Sequence, residues 1–128
     1  MLEILVCEDQ AVTAALYEER QVRYEPGRLA IRAMFGEECL GYCLFAVNGE
    51  EETVFCVEPR EDVMLADGLL RSALHVGCER GITAAFYADR DYEPLFCQLH
   101  FLEQPEEKRL RLQNLFTDCC HCGEQENT

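Results

Sequence analysis

The sequence feature that most constrains the fold is a pair of nearly continuous apolar runs joined by an Asn-Gly turn. CLGYCLFAV (39–47) and TVFCVEP (53–59) are rich in strand-forming residues, and NGEEE between them is a hairpin signal. A helical period follows over residues 64–80, and a short apolar strand, ITAAFYA, comes after it. These segments predict an antiparallel hairpin followed by a right-handed β-α-β unit, and therefore a mixed sheet with helices on its faces.

The segments before the hairpin supply two strands and a helix. MLEILVC reads as a first strand, and QAVTAALYEER as a helix that Asp9 can cap. A second strand is predicted from alternating apolar positions at Leu29, Ile31, Ala33 and Phe35. The buried face of the first helix is expected to be mostly apolar and to comprise Val12, Ala15, Leu16 and Glu19.

The central helix has the clearest periodicity in the chain. Gly81 is a natural cap at its carboxyl end. DYEPLFCQLH then predicts a short amphipathic helix, and FLE, QPEE and KRLRLQ a terminal hairpin. The expected order is β-α-β-β-β-α-β-α-β-β in one domain of residues 1–128, with 123–128 a frayed polar tail. The predicted core face of the central helix consists of Leu65, Leu69, Ala73 and Val76, with Leu70, Leu74 and Gly77 beside them.

Composition narrows the choice of partners. Eleven Lys and Arg against 25 Asp and Glu give a net charge of −14, which argues against nucleic-acid binding and could attract a small amine or a basic protein. The opening apolar run is too short to span a membrane and lacks a preceding basic region, so a cytoplasmic protein without membrane contact is expected. The cysteine count is nine, an odd number, and reduced thiols that act as small core residues explain most of them.

The order of the elements and several strings resemble the GCN5-related N-acetyltransferase (GNAT) superfamily. The strings are a strand ending in CVEP, the helix ADGLLRSALHVGCERG, the strand ITAAFYA, and EPLFCQLHF, which is similar to the family's ALYxKLGF. The resemblance covers nearly the whole chain. It implies an α/β fold with a mixed, mostly antiparallel sheet flanked by helices, and transfer of an acyl group from acetyl-coenzyme A or another acyl-coenzyme A to an amine.

The resemblance also implies where the co-substrate would lie. In the family the fourth strand splays from the fifth, and the acyl-pantetheine arm lies between them. Backbone N–H groups at the start of the following helix meet the pyrophosphate. Glu61 and Met64 depart from the family's loop, which has Arg or Gln and Gly at these positions. The implied co-substrate residues are Phe55, Cys56 and Val57 along the arm, and Met64, Leu65, Ala66, Asp67, Gly68 and Arg71 near the phosphates, with Arg60 a further cation.

The catalytic groups stay open at this level. Phe96 stands where many family members have the Tyr that protonates the departing thiolate. Tyr92 and Cys97 are neighbours that could substitute, although Cys97 is expected to pack within the short helix and Tyr92 to cover its edge. A general base could be Glu38, Glu52 or His75, and residues alone do not choose among them.

The sequence leaves two main function classes, and metal binding is a third and less favoured one. The first is a divergent N-acyltransferase in which the amine attacks the thioester directly, and the alternative is a binding module that kept the fold without the activity. A homodimer is compatible with the sequence. No metal is expected, since adjacent residues in DCCHCG (Cys119, Cys120, His121 and Cys122) cannot all point at one ion and no second paired cluster exists.

Overall fold

A computed structural model describes residues 1–112 of the chain. The order of helices and strands is the predicted one, with two added 3₁₀ turns at Arg90–Tyr92 and Pro105–Glu107. The strands are β1 Leu2–Val6, β2 Arg28–Phe35, β3 Glu38–Asn48, β4 Glu51–Glu58, β5 Ala84–Tyr87, β6 Leu102–Gln104 and β7 Arg109–Leu110, and the helices are α1 Gln10–Glu19, α2 Val63–Glu79 and α3 Glu93–Gln98.

One seven-stranded sheet has the strand order β1-β2-β3-β4-β5-β7-β6. Strands β1 to β4 pair antiparallel in sequence order. Strand β5 then pairs parallel to β4, because α2 carries the chain back between them. Strands β6 and β7 form the antiparallel hairpin that the sequence predicts after α3. The mixed, mostly antiparallel fold is therefore confirmed.

Helix α2 supplies most of the helical side of the core. The Asp62 side chain caps its start by accepting a hydrogen bond from the Leu65 N–H at 3.2 Å. After its end, Gly81 has a φ of +88°, a conformation that glycine adopts without strain. The predicted face is confirmed in its centre, while Leu65 and Val76 are only half-buried at its margins. The buried residues of the helix are Ala66, Leu69, Leu70, Ala73, Leu74 and Gly77.

Helix α1 covers the other face of the sheet. Its cap at Asp9 is as predicted. Its predicted face is right in part, because Val12 and Leu16 pack half-buried against the core, whereas Ala15 and Glu19 are exposed and the buried positions are Thr13 and Tyr17. Tyr17 can enter the core because its hydroxyl donates to two backbone carbonyl oxygens, at 2.6 and 3.0 Å. The predicted alternation of β2 also fails at Phe35, which is 54% exposed at the end of the strand.

The segment after β5 contributes an aromatic cluster. Phe96 of α3 is fully buried, and its ring lies 5.3 Å from that of Tyr87 and 6.0 Å from that of Tyr92. These rings anchor the 3₁₀ turn and α3 against the end of β5. Through residue 112, no helix has the length and apolar character needed to cross a membrane.

Candidate active site

Strands β4 and β5 separate halfway along β4. Their parallel pairing runs from Glu51–Ala84 to Val54–Tyr87, and the N–H of Ala88 donates to the carbonyl oxygen of Val54 at 3.0 Å. Strand β4 continues to Glu58 beyond this point, so residues 55–58 have no ladder partner on β5. The resemblance implies that the two strands part along β4, and their pairing ends at Val54.

A bulge in β4 accompanies the separation. Val54 is opposite Phe45 on β3 and Cys56 is opposite Leu44, which leaves Phe55 as an extra residue. A bulge bends its strand and increases the local twist. The bulge lies at the first residue past the last β5 partner, where the β4–β5 ladder ends. Phe55, Cys56 and Val57, which were expected along the pantetheine arm, all lie in this stretch.

Four charged and polar side chains meet at the open end of β4, and we call them the Glu58 cluster: Glu58, Tyr92, Arg20 and Arg60. The Tyr92 hydroxyl donates to Glu58 Oε2 at 2.5 Å. The same oxygen lies 3.2 Å from a guanidinium nitrogen of Arg20 and 3.4 Å from Nε of Arg60. The Arg60 guanidinium also lies 4.4 Å from the centre of the Tyr92 ring. The cluster thus joins α1, β4, the loop after β4 and the turn before α3.

Burial sets the protonation state of Tyr92. The side chain is 2% exposed, and desolvation, followed by its hydrogen bond to Glu58, raises the pKa of its hydroxyl far above the usual value. Burial likewise raises the pKa of the nearby Cys56 thiol to about 12. Both groups therefore keep their protons at neutral pH, and Tyr92 is a proton donor held against a carboxylate.

A surface pocket of about 440 Å³ opens beside the cluster. Its walls come from α1, the start of β3 and the end of β4. Leu16, Leu40 and Tyr42 give it apolar surface, and Glu19, Arg20 and Glu58 give it charge. The pocket combines apolar surface with the carboxylates of Glu19 and Glu58 and the guanidinium of Arg20, a lining that suits an organic body carrying a charged group.

The start of α2 fits an anionic phosphate only in part. The Asp62 side chain already accepts from the Leu65 N–H, and the Asp62 carbonyl accepts from the Ala66 N–H at 2.9 Å. The N–H groups of Val63 and Met64 are the helix-start donors that a phosphate could reach. Met64 is 86% exposed, so its side chain projects from the helix start into solvent.

The other residues expected near the phosphates make contacts within the protein. Arg71 lies 3.0 Å from Asp67, one helical turn earlier, and 5.0 Å from the ring centre of Phe101. A Cβ at Gly68 would lie 3.0 Å from Ile4 Cδ1, so this glycine allows α2 to approach β1 closely. These contacts give each residue a structural reason to be present.

The structure places the three residues considered for the acid role in different surroundings. Phe96 is buried among the aromatic rings, consistent with the absence of a hydroxyl there. Cys97 was expected to pack within the short helix, but it is exposed on α3, because the buried positions of that helix are Leu95 and Phe96. Tyr92 was expected to cover the edge of the helix, and it is instead buried with its hydroxyl on Glu58.

None of the three predicted bases belongs to the cluster. Glu38 is exposed at the start of β3, and His75 is exposed on α2. Glu52 is fully buried beneath α2, on the sheet face opposite α1, and desolvation raises the pKa of its carboxyl to about 8. The residues that sequence reasoning missed are Glu58 and Arg20. The signal for Glu58 was a charged residue that ends an apolar strand just before Pro59.

Within residues 1–112, no group of three or more His, Cys, Asp or Glu side chains is arranged to hold a metal ion. The four residues Cys119, Cys120, His121 and Cys122 lie outside the described residues.

Comparison with known proteins identifies the fold. No family model matches the chain, and no curated protein matches it. Among solved structures, a ribosomal-protein-alanine N-acetyltransferase from Brucella melitensis is similar at a TM-score of 0.58 and 14% identity, over 81% of this chain and 94% of that one. The E. coli protein YhhK, assigned as an N-acetyltransferase and bound to coenzyme A, has a TM-score of 0.58 and 17% identity, over 81% and 93%.

A third similar structure has another role in its name. It is a transcriptional regulator from Bacillus halodurans, with a TM-score of 0.60 and 13% identity, over 81% of this chain and 94% of that one. The TM-scores show a shared fold, and at identities this low the similarity shows nothing beyond the fold. The protein therefore has the GNAT fold, as its sequence predicts, and its activity has to be argued from its own residues.

Proposed function

We propose that the protein is an N-acyltransferase that moves an acyl group from acyl-coenzyme A to an amine by direct attack. The observation that carries the proposal is the Tyr92–Glu58 pair, which lies beyond the last β4–β5 ladder pair and beside the pocket. The acyl-coenzyme A would supply a thioester carbonyl along residues 55–57. A proton acceptor for the amine and a donor for the departing sulfur are then both within the Glu58 cluster.

The two side chains suit these roles in a complementary way. Glu58 orients the acceptor in its ammonium form, which loses one proton to solvent so that the nitrogen lone pair can attack the thioester carbonyl. As the C–N bond forms, Glu58 takes the second proton from that nitrogen. As the C–S bond breaks, Tyr92 gives its proton to the sulfur. The hydrogen bond between the two groups then returns the proton from Glu58 to Tyr92, so the protein ends in its starting state. Arg20 and Arg60 hold the carboxylate in place throughout.

The acceptor is proposed to be a cationic amine, either a small molecule or a basic protein. The net charge of −14 favours the approach of cations at long range. Near the site, the pocket offers Glu19 and Glu58 to an ammonium group and Leu16, Leu40 and Tyr42 to an apolar body. A neutral or anionic acceptor would lack a partner for these carboxylates.

The test is an acetyl-coenzyme A transfer assay against a panel of amines. Glu58→Gln and Tyr92→Phe should each reduce kcat by roughly 100-fold, the usual range for loss of a general acid or base. Glu38→Gln is the matched control, because it removes the same charge from an exposed site outside the pocket. Retention of full activity by the first two variants would refute the assigned roles.

A second candidate, a binding module without transferase activity, is favoured by the start of α2. Asp62 occupies that helix terminus with its own carboxylate, and Glu61 adds charge where the family has Arg or Gln. Calorimetric titration with acetyl-coenzyme A separates the two. No heat and no thermal shift at about 1 mM ligand would exclude the transferase. If binding occurs, Met64→Gly should tighten it by opening backbone access, whereas unchanged affinity would contradict the assigned loop register.

A further inference from the structure

Strand β1 is one edge of the sheet, and its outward backbone groups are regular and have no strand partner within residues 1–112. The N–H of Cys7 donates to the carbonyl of Ala30 at 2.8 Å, and β1 pairs with β2 in an unbroken antiparallel register. Since hydrogen-bonding direction alternates along a strand, Glu3 and Leu5 also point their backbone groups at β2. Leu2, Ile4 and Val6 therefore direct theirs away from the sheet.

The same edge collects exposed apolar side chains. Large exposed hydrophobic residues number seven in the described part of the chain, and five of them lie on β1, next to it, or opposite it on β2. A pocket of about 300 Å³ lined partly by Ile4, Val6 and Ile31 continues this apolar surface toward α2. The five residues are Met1, Leu2, Leu5, Val6 and Phe35.

The opposite edge of the sheet is built differently. Strand β6 has only three residues, its register with β7 is irregular, and its last two side chains, Glu103 and Gln104, are exposed and polar. Short, irregular and polar edges discourage pairing with another strand. Strand β1 has five residues, a regular register and one charged side chain, so it lacks each of these protections.

We propose that this edge binds a second copy of the chain, with β1 antiparallel to the partner's β1 about a two-fold axis at Ile4. In this register Leu2 faces the partner's Val6, Ile4 faces the partner's Ile4, and Val6 faces the partner's Leu2. All of these residues have outward backbone groups. Each of the three pairs exchanges two backbone hydrogen bonds, so a single isologous contact satisfies the whole edge.

Charge complementarity favours the same register. Glu3 would lie opposite the partner's Leu5, which is next to Arg32 on β2. Two strand spacings, about 10 Å, then separate the backbones of Glu3 and the partner's Arg32 on one face of the sheet, within reach of these long side chains. Nε of Arg32 is buried without a hydrogen bond to any described residue. Moving the axis to Glu3 would instead set two glutamates face to face and leave fewer paired residues.

The proposal is independent of the transferase site, which lies at the end of β4. Its test is sedimentation equilibrium of the whole chain up to about 1 mM, with two edge variants. Leu2→Pro removes an outward N–H without touching the β1–β2 ladder, and Glu3→Arg places a cation near the partner's Arg32. Each should weaken the dimer at least tenfold. Glu50→Arg, with the same charge change in the exposed β3–β4 turn, should leave it unchanged.

Hydrogen exchange on the unmodified chain gives a second, variant-free readout. The amides of Leu2, Ile4 and Val6 should gain protection as concentration rises, whereas those of Glu3 and Leu5 should be protected at every concentration. A chain that stays monomeric at about 1 mM would overturn the proposal. It would also be overturned by a dimer that is as tight in both edge variants as in the unmodified chain, or by a dimer without concentration-dependent protection of these amides.

Discussion

The buried carboxyl of Glu52 should make the stability of the protein depend on pH. Its carboxyl lies on β4 beneath Gly77 of α2, between Val47 of β3 and Ala85 of β5. The residue is fully buried, and neither carboxyl oxygen has a hydrogen-bond partner among the described residues. Desolvation raises its pKa from 4.5 to about 8, against a smaller opposing effect of Arg80. The folded protein therefore holds this carboxyl in its neutral form at pH 7.

The sign of the pH dependence follows from the raised pKa. Below pH 4.5 the carboxyl is protonated in both the folded and the unfolded state, so its full contribution to stability is present. As the pH rises toward about 8, only the folded state keeps the proton. The free energy of unfolding then falls by about 1.4 kcal/mol per pH unit, or about 3 kcal/mol between pH 5 and pH 7.

Glu52→Gln removes this titration, and urea unfolding at pH 5, 6 and 7 measures the consequence. The variant's stability relative to the unmodified protein should rise by about 3 kcal/mol over that range. An unpaired buried amide adds an offset that does not depend on pH. Glu51→Gln, at the exposed neighbouring position, controls for the loss of one charge. Parallel stability curves for Glu52→Gln and the unmodified protein from pH 5 to pH 7 would refute the reasoning.

Three further predictions concern packing and capping. Gly77→Ala should destabilise the protein by about 2 kcal/mol in urea unfolding, because the new Cβ would overlap the Glu52 carboxyl. When Gly77→Ala is made in a protein that already carries Glu52→Ala, most of that loss should disappear. Asp62→Ala removes the side-chain cap of α2 and should lower stability by about 1 kcal/mol in thermal unfolding. The same change removes a negative charge from the helix start and should tighten the binding of acetyl-coenzyme A in calorimetry, so weaker binding would contradict the assigned anion site. Tyr17→Phe should cost about 1 kcal/mol in urea unfolding, because it removes the hydroxyl's hydrogen bonding to the carbonyls of Leu29 and Phe45, which keep each other as β2–β3 ladder partners. An unchanged midpoint would count against this.

The sequence predicts the fold well where turn, capping and periodicity signals act over a few residues. The hairpin at Asn48–Gly49, the capped helix α2 and the strand after it were all predicted with nearly correct bounds. The errors came from side chains with mixed character. The predicted face of α1 included the charged Glu19 and omitted Tyr17, because helical spacing does not show that carbonyls of β2 and β3 will accept from the Tyr17 hydroxyl and make its burial favourable.

The candidate site was accessible only in part. Tyr92 was named as a substitute for the missing Tyr, but its partner Glu58 is 34 residues earlier in the chain, and no local pattern links the two. The bases considered from the sequence were chosen by residue type. Two of them, Glu52 and His75, are on the α2 side of the sheet, where they cannot reach a substrate in the pocket beside Glu58.

The sequence by itself determined the order of the elements and most of the buried face of α2, because periodicity, capping and turn chemistry act over a few residues. The tertiary structure alone decided where β4 leaves β5 and which charges meet there. Those outcomes depend on a bulge and on contacts between distant segments, and their free energies exist only once the sheet has brought the segments together.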